Sequence, residues 1–217
     1  GGAKNHAIVM PDADMDNAVA QLLGAAFGSS GERCMALSVA VAVGDAAADQ
    51  LVSKMKEAMK TLKIGPCHDA DNDFGPVITK QHQQKVFGYI DSAEEQGADI
   101  VVDGRNPTID GYENGFYVGG TLIDRVTADM DSYDAEIFGP VLQVVRVDSM
   151  QQAMDLIDAH EYGNGTCIFT RDGEAARYFS DHIQVGMVGI NIPLPVPVAY
   201  HSFGGWKRSL FGDLHAY

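Results

Sequence analysis

Cys34 is the residue of this sequence best placed to do covalent chemistry. It follows a run of glycine and serine at residues 28–31, and an apolar run begins directly after it at residues 35–43. The thiol is therefore expected where a loop enters a strand, and such junctions hold reactive groups rigid and accessible. Arg33 precedes it, and a fixed positive charge favours the nucleophilic thiolate over the thiol. The pattern favours a nucleophile, and the alternative is a small, buried packing residue.

Three further segments carry residue types that suit a ligand site. Residues 2–6 read Gly-Ala-Lys-Asn-His and precede a strand, while residues 136–141 place an acid and an aromatic ahead of a Gly-Pro turn. Asn191 precedes a loop with three prolines at residues 193–197, which can form neither a helix nor a central strand. Residues 202–207 read Ser-Phe-Gly-Gly-Trp-Lys, and paired glycines let the backbone approach a neighbour or a ligand closely.

The elements that must position these segments alternate between strands and helices. This alternation is typical of an α/β fold with a largely parallel sheet that helices cover on both faces. No internal repeat or low-complexity linker divides residues 1–217, so one domain is expected. The predicted strands are residues 6–10, 35–43, 100–102, 116–118, 141–147, 166–170 and 185–190. The predicted helices are residues 14–27, 46–62, 80–96, 150–160 and 174–182.

The composition limits the classes of partner. A chain of 217 residues can bury a substantial core, and its formal net charge of −15 disfavours nucleic acid and anionic membranes as partners. No apolar run reaches the roughly 18 residues that span a bilayer. Three widely spaced cysteines form no disulfide framework, which fits a reducing compartment. The expected location is the cytoplasm, or the mitochondrial matrix in a eukaryote.

The motifs for metal and phosphate binding fail on inspection. The acidic runs at residues 12–16 and 69–73 resemble the opening of calcium loops, but they lack the turn glycine and the bidentate glutamate. The seven histidines show no paired spacing for zinc, and no glycine-rich phosphate loop follows a strand. We therefore predict no metal site and no phosphate-binding loop in this chain.

The Cys34 loop and the three further segments, in this order, resemble the catalytic domain of the NAD(P)-dependent aldehyde dehydrogenase superfamily over essentially the whole chain. Residues 2–6, residues 31–35 and the run 192–217 are similar to the methylmalonate-semialdehyde dehydrogenase family, whose members acylate CoA. This resemblance implies that methylmalonate or malonate semialdehyde is converted to propionyl-CoA or acetyl-CoA. NAD and CoA would be the cofactor and co-substrate, and the reaction would pass through a thioacyl intermediate on a cysteine.

The resemblance also implies roles for individual residues. Cys34 matches the nucleophile, and its main-chain N–H matches half of the oxyanion hole. Arg33 matches a residue that holds the substrate carboxylate together with an arginine outside this chain, and the alternative is an internal salt bridge. Glu136 matches the residue that binds the nicotinamide ribose, and Phe138 matches the aromatic beside the nicotinamide ring. Their alternatives are an ordinary turn acid and a core anchor.

Two more residues match positions near the substrate tunnel of the family. These are Asn191 and Phe203, and the prolines between residues 193 and 197 are expected to shape the tunnel wall. The alternative for Phe203 is packing of the loop alone.

The resemblance implies that residues 1–217 are the catalytic domain of a longer protein. In this superfamily the dinucleotide-binding domain comes largely before this part and an oligomerisation strand comes after it, so both are expected outside the chain. The isolated fragment is then expected to be inactive, and the full-length enzyme is expected to be a homo-oligomer. Two alternatives stay open: a hydrolytic NAD(P)-dependent aldehyde dehydrogenase, and a non-catalytic acidic α/β binding module in which Cys34 is buried and unreactive.

Overall fold

The computed structural model describes residues 1–211, which form a seven-stranded sheet between layers of helices and a separate two-stranded pair. The strands are β1 (Asn5–Val9), β2 (Leu37–Val43), β3 (Asp99–Val102), β4 (Thr121–Asp124), β5 (Val141–Val147), β6 (Tyr162–Gly163), β7 (Gly165–Phe169), β8 (Met187–Ile190) and β9 (Trp206–Lys207). The helices are α1 (Met15–Phe27), α2 (Asp45–Met59), α3 (Lys80–Glu95), α4 (Asp131–Asp134), α5 (Met150–Ala159) and α6 (Gly173–His182).

The strand order in the large sheet is β3-β4-β5-β2-β1-β7-β8, and every neighbouring pair is parallel except β3 with β4. The central strand β2 reads Leu-Ser-Val-Ala-Val-Ala-Val and is almost wholly buried, as expected for a parallel strand with both faces covered. The predicted α/β fold with a largely parallel sheet is confirmed.

The two faces of the sheet build two separate cores. Ala7 and Val9 of β1 point to the core beneath α1 and α2, whereas Ile8 points to the core beneath α3, α5 and α6. This follows from the two-residue period of a strand, which sends successive side chains to opposite faces. Within the part of the chain that the structure describes, no helix is both long and apolar enough to cross a bilayer.

Helix α1 delivers the chain to the Cys34 loop. The side chain of Asp14 caps its first turn by accepting a hydrogen bond from the main-chain N–H of Asn17 at 3.1 Å. Its buried face, which includes Ala18, Leu22 and Ala26, packs on the sheet. The helix ends at Phe27, as predicted, and a short 3-10 segment at Gly28–Gly31 follows it.

Three of the segments singled out in the sequence converge at one edge of the sheet. The loops that contain residues 2–4, Cys34 and residues 136–140 directly precede β1, β2 and β5, and Asn164 directly precedes β7. Because these four strands are parallel neighbours, the residues before them meet at the amino-terminal edge of the sheet. The topology therefore brings together segments that are more than a hundred residues apart in the sequence.

One strand prediction is wrong, and one strand of the large sheet was missed. Residues 116–118 are not a strand, because their carbonyl groups bond to the Val77 N–H and to the Gln83 side chain rather than to a neighbouring strand. The sheet instead uses β4, which follows two glycines and is only four residues long. Such a short, wholly buried strand offers no alternation of polar and apolar residues to read.

Candidate active site

Cys34 lies in the loop that enters β2, and its side chain is exposed. It lines a small pocket at the amino-terminal edge of the sheet, whose walls come from the loops before β1, β2 and β5. The other residues of this pocket with functional groups or aromatic rings include Asn5, Arg33, Glu136 and Phe138. Three residues predicted from the sequence to surround the nucleophile are thus gathered beside it.

Two buried amides hold the main chain of Cys34. The Nδ2 atoms of Asn5 and Asn164 donate hydrogen bonds to the Cys34 carbonyl oxygen at 3.0 and 2.8 Å. The Nδ2 atom of Asn5 also bonds to the Ala36 carbonyl oxygen at 3.0 Å, and its Oδ1 atom accepts from the Gly165 N–H at 3.1 Å. Both asparagines are more than nine-tenths buried. The main chain of Cys34 is therefore tied to the first residue of β1 and to the residue directly before β7.

The main-chain N–H of Cys34, unlike its carbonyl group, has no hydrogen-bond partner within residues 1–211. The carbonyl of the same residue accepts two hydrogen bonds. A fixed donor without an internal acceptor is what an oxyanion needs, because it requires little reorganisation when charge develops nearby.

The turn before Cys34 has an unusual backbone. Ser29, Ser30 and Gly31 have φ angles of 53°, 57° and 68°, which is the left-handed region that costs energy for non-glycine residues. A Cβ atom on Gly31 would lie 2.1 Å from the carbonyl oxygen of Gly139, so the two loops touch backbone to backbone. This contact places the Cys34 loop directly against the loop that contains Glu136 and Phe138.

Glu136 is anchored through one carboxylate oxygen. Its Oε1 atom accepts a hydrogen bond from the Ala3 N–H at 3.1 Å, and its Oε2 atom has no hydrogen-bond partner within the described part of the chain. A carboxylate held at one oxygen and open at the other suits the hydroxyl groups of a sugar. Glu136 therefore fits the chemistry expected of a ribose-binding residue.

Phe138 presents an aromatic ring next to this carboxylate. It has a φ angle of 58°, which is rare for a bulky residue, and it is 39% exposed. The Nε2 atom of His82 bonds to its carbonyl oxygen at 2.6 Å and holds this conformation. An exposed ring on a constrained backbone offers a flat apolar surface, which fits a nicotinamide ring, and it is not a core anchor.

The buried side chain of Lys4 binds the main chain directly before Glu136. The Nζ atom of Lys4 donates to the carbonyl oxygens of Ser132 and Ala135, each at 2.7 Å. Burial lowers the pKa of Lys4 to about 7, although the charges of Glu136 and Asp134 counteract part of this shift.

Lys4, Asn5 and Asn164 had no individual role predicted from the sequence. For Lys4 and Asn5, the available signal was a polar pair directly before a buried strand. For Asn164 it was a polar residue between two glycines. Neither sequence pattern shows which main-chain carbonyl group the side chain binds, because that group lies far away in the sequence.

Arg33 points to a larger cleft beside the Cys34 pocket. This cleft has a volume of about 490 Å³, and it is lined by α1, by residues 73–74 and by Pro193 and Leu194. The Nε atom of Arg33 donates to Ser29 Oγ at 3.0 Å, and no ion pair involves its guanidinium group within residues 1–211. The predicted alternative, an internal salt bridge, is therefore absent from the described residues.

Asn191 and Phe203 do not line the pocket or the cleft around Cys34. Asn191 follows the carboxyl end of β8, and its side chain bonds to the N–H and carbonyl groups of Thr170, each at 3.0 Å. Phe203 is half-buried in the loop that returns towards β9. Pro193 from this loop does line the cleft. The substrate-binding roles of Asn191 and Phe203 stay predictions.

The other two cysteines differ from Cys34 in their surroundings. Cys167 lies inside β7 and is fully buried, which raises the pKa of its thiol far above the usual value. Cys67 is exposed, and its sulfur packs against Gly75 in a surface loop. Only Cys34 combines exposure with a pocket lined by an arginine, a glutamate and an aromatic ring within the described residues.

The chain is similar to known proteins over essentially its full length. A family model described as "Aldehyde dehydrogenase family" matches residues 1–216. The chain is 67% identical over its full length to a malonate-semialdehyde dehydrogenase of Pseudomonas aeruginosa. It superposes over its full length, at 84% identity and a TM-score of 0.98, on the crystal structure of a methylmalonate-semialdehyde dehydrogenase from Oceanimonas doudoroffii.

A second solved structure carries a cofactor. This protein of Sinorhizobium meliloti 1021 is described as a methylmalonate-semialdehyde dehydrogenase complexed with NAD, and it matches 99% of the chain at 58% identity with a TM-score of 0.97. The chain spans 44% of the length of each of these three relatives.

The exposure of Cys34 predicts a clear order of thiol reactivity. In the native full-length protein, Cys34 should react with iodoacetamide faster than Cys67, because a positively charged neighbour and a pocket lie beside it. Cys167 should react last because it is fully buried. Peptide mass spectrometry over a time course gives the three rates, and equal rates for Cys34 and Cys67 would remove the case for an activated thiol.

The two amide hydrogen bonds from Asn5 and Asn164 to the Cys34 carbonyl oxygen form an amide clamp. Loss of one of them should reduce catalysis more than it reduces the stability of the fold. Asn164→Ala removes one of the two hydrogen bonds to the Cys34 carbonyl, and we expect kcat in the full-length enzyme to fall on the order of 10- to 100-fold through misplacement of the thiol. Asn72→Ala is a matched control, because it also removes an amide bond to a carbonyl, that of Pro66 in a surface loop. If both variants lose the same activity at the same melting temperature, the clamp has no special role.

Proposed function

Because this chain belongs to the aldehyde dehydrogenase family, we propose that it carries the catalytic residues of an NAD-dependent, CoA-acylating semialdehyde dehydrogenase. Methylmalonate or malonate semialdehyde would be the substrate, and propionyl-CoA or acetyl-CoA the product. The observation that carries this proposal is the pocket that Cys34 shares with Glu136, Phe138 and Arg33. It combines a nucleophile, a ribose acceptor, a ring surface and a carboxylate ligand.

The first step is nucleophilic attack by Cys34. Its sulfur forms a bond to the aldehyde carbon while the π bond of the carbonyl group breaks, and the resulting alkoxide accepts a hydrogen bond from the unpaired Cys34 N–H. The amides of Asn5 and Asn164 hold the carbonyl of the same residue, so that sulfur and N–H keep a constant geometry during the step.

The second step is oxidation of the adduct. NAD, when bound, supplies the hydride acceptor. Glu136 would hold the ribose through its open Oε2 atom, and Phe138 would face the nicotinamide ring. The Lys4 ammonium group and the Ala3 N–H keep Glu136 in place for this contact. Loss of the hydride leaves an acyl group in thioester linkage to Cys34.

The third step releases the product. The CoA thiolate attacks the thioester carbonyl and the bond to the Cys34 sulfur breaks, which regenerates the thiolate. The substrate carboxylate leaves as carbon dioxide, and its bonding electrons remain on the adjacent carbon, which takes up a proton. This loss accounts for the formation of propionyl-CoA from methylmalonate semialdehyde and acetyl-CoA from malonate semialdehyde.

Arg33 is the proposed ligand of the substrate carboxylate. Its guanidinium group has no carboxylate partner in residues 1–211, and it borders both the Cys34 pocket and the larger cleft. A planar guanidinium can bind a carboxylate through two parallel hydrogen bonds. Asn191 and Phe203, together with a second arginine outside this chain, are further candidates for substrate binding.

The domain organisation is also a proposal. One continuous sheet runs from β3 at one edge to β8 at the other, which supports a single catalytic domain over residues 1–217. Most of the NAD-binding surface and the oligomerisation strand would then belong to other parts of a full-length homo-oligomer. A location in the cytoplasm, or in the mitochondrial matrix of a eukaryote, stays a prediction.

The acyl acceptor separates this proposal from a hydrolytic aldehyde dehydrogenase. The full-length enzyme should sustain turnover of malonate semialdehyde and NAD only when CoA is present, with acetyl-CoA as the product. Cys34→Ala should reduce this rate by at least about 10³-fold, because the covalent intermediate is lost. Chromatography of the acyl-CoA product, with NADH absorbance as a parallel signal, makes the measurement. A free acid formed at the same rate without CoA supports the hydrolytic alternative instead.

The role of Arg33 predicts a loss that depends on the substrate. Arg33→Ala should lower kcat/KM for malonate semialdehyde about 10- to 100-fold, which is the cost of losing hydrogen bonds to a charged group. Propanal lacks the carboxylate, so its kcat/KM should change by less than about threefold. Arg177→Ala is a control for charge alone, because Arg177 is an exposed arginine on α6. A parallel loss on both aldehydes would exclude carboxylate recognition.

A further inference from the structure

Gly28, directly after α1, occupies an unusual position relative to Arg33. A Cβ atom placed on Gly28 would lie 2.7 Å from Nη1 of Arg33, and 2.9 Å from both Cζ and Nη2. The three nearest atoms therefore all belong to the guanidinium group, which lies over the Cα atom of Gly28. Any residue other than glycine would occupy the space that this group fills.

The backbone between the two residues produces this stacking. The left-handed turn at Ser29, Ser30 and Gly31 reverses the chain, so that Arg33 folds back over the end of α1. The hydrogen bond from Arg33 Nε to Ser29 Oγ then fixes one edge of the guanidinium group. Arg33 and Gly28 both line the cleft of about 490 Å³.

We propose that Gly28 is a positioning residue that determines substrate specificity, because the absence of its side chain lets Arg33 present a planar Nη edge to the substrate carboxylate. This inference rests on the proposed function, in which Arg33 binds that carboxylate. A two-point contact demands a fixed orientation of the guanidinium group, and a shift of about 1 Å in a binding group can cost on the order of 100-fold in rate. Alanine at Gly28 forces such a shift, since ordinary contacts begin at 3.4 Å and the added methyl carbon would lie only 2.7 Å from Nη1.

The substitution should spare the fold. Gly28 has φ and ψ angles of −54° and 136°, which any residue can adopt. The nearest atoms belong to the end of a flexible side chain and not to the backbone, so that Arg33 can move aside at low cost. Gly24 offers a matched control, because it lies one helical turn earlier and lines the same cleft. Among the described residues, a Cβ atom at this position would have no heavy atom within 4 Å apart from Gly24 itself, its two chain neighbours and the nearby backbone of its own helix.

The test compares Gly28→Ala and Gly24→Ala in the full-length enzyme, with malonate semialdehyde and propanal as substrates. Gly28→Ala should lower kcat/KM for malonate semialdehyde about 10- to 100-fold, mainly through KM, and change kcat/KM for propanal by less than about threefold. Gly24→Ala should keep the wild-type ratio of the two kcat/KM values. In an Arg33→Ala background, Gly28→Ala should cause no further selective loss, because the group that it displaces is gone.

The outcomes separate the role of Gly28 from the role of Arg33. If Arg33→Ala is selective against the carboxylated substrate and Gly28→Ala is not, the inference about Gly28 is wrong and the proposed role of Arg33 stands. Equal losses on both substrates for Gly28→Ala would also overturn the inference, since they indicate a displaced Cys34 loop. If Arg33→Ala itself is not selective, carboxylate recognition by Arg33 fails, and the role of Gly28 fails with it.

Discussion

The hydrogen bonds from two buried asparagine amides to the carbonyl oxygen of Cys34 are the interaction on which the site depends. Asn5 begins β1 and Asn164 directly precedes β7, so the Cys34 loop is fastened to two strands that the parallel sheet already holds in register. A buried amide must satisfy its donors and acceptor or lose stability, and this requirement fixes both side chains. The main chain of Cys34 is therefore tied to strands in the interior of the sheet.

Three residues near this anchored point have unfavourable backbone conformations. Ser29 and Ser30 before Cys34, and Phe138 in the facing loop, are non-glycine residues with positive φ angles. Each such conformation costs on the order of 1–3 kcal/mol and persists only where the surroundings impose it. Here the imposing contacts are the backbone approach of Gly31 to Gly139 and the hydrogen bond of His82 to the Phe138 carbonyl. The strain turns Arg33 towards the cleft and exposes the ring of Phe138.

Much of the fold could be predicted from the sequence, because local patterns encode it. The strand at Val141–Val147 and the ends of α1 and α6 follow from apolar periodicity and capping residues. The strand Thr121–Asp124 could not be found this way, since four buried residues show no period. Cys34 was singled out by its own loop, whereas Glu136 and Phe138 were assigned their expected roles through the resemblance to a known family, and all three line one pocket.

The sequence by itself determined which residue types are available to the proposed chemistry: a cysteine after an arginine, an acid and an aromatic before a Gly-Pro turn, and the order of strands and helices. Only the tertiary structure decided which groups act together. Asn5 and Asn164 are 159 residues apart, yet both hold one carbonyl group. Gly28 is visible in the sequence as a small residue, but its contact with the Arg33 guanidinium depends on a left-handed turn. Such contacts follow from the register of parallel strands and from packing between loops, and no local pattern of residues records either one.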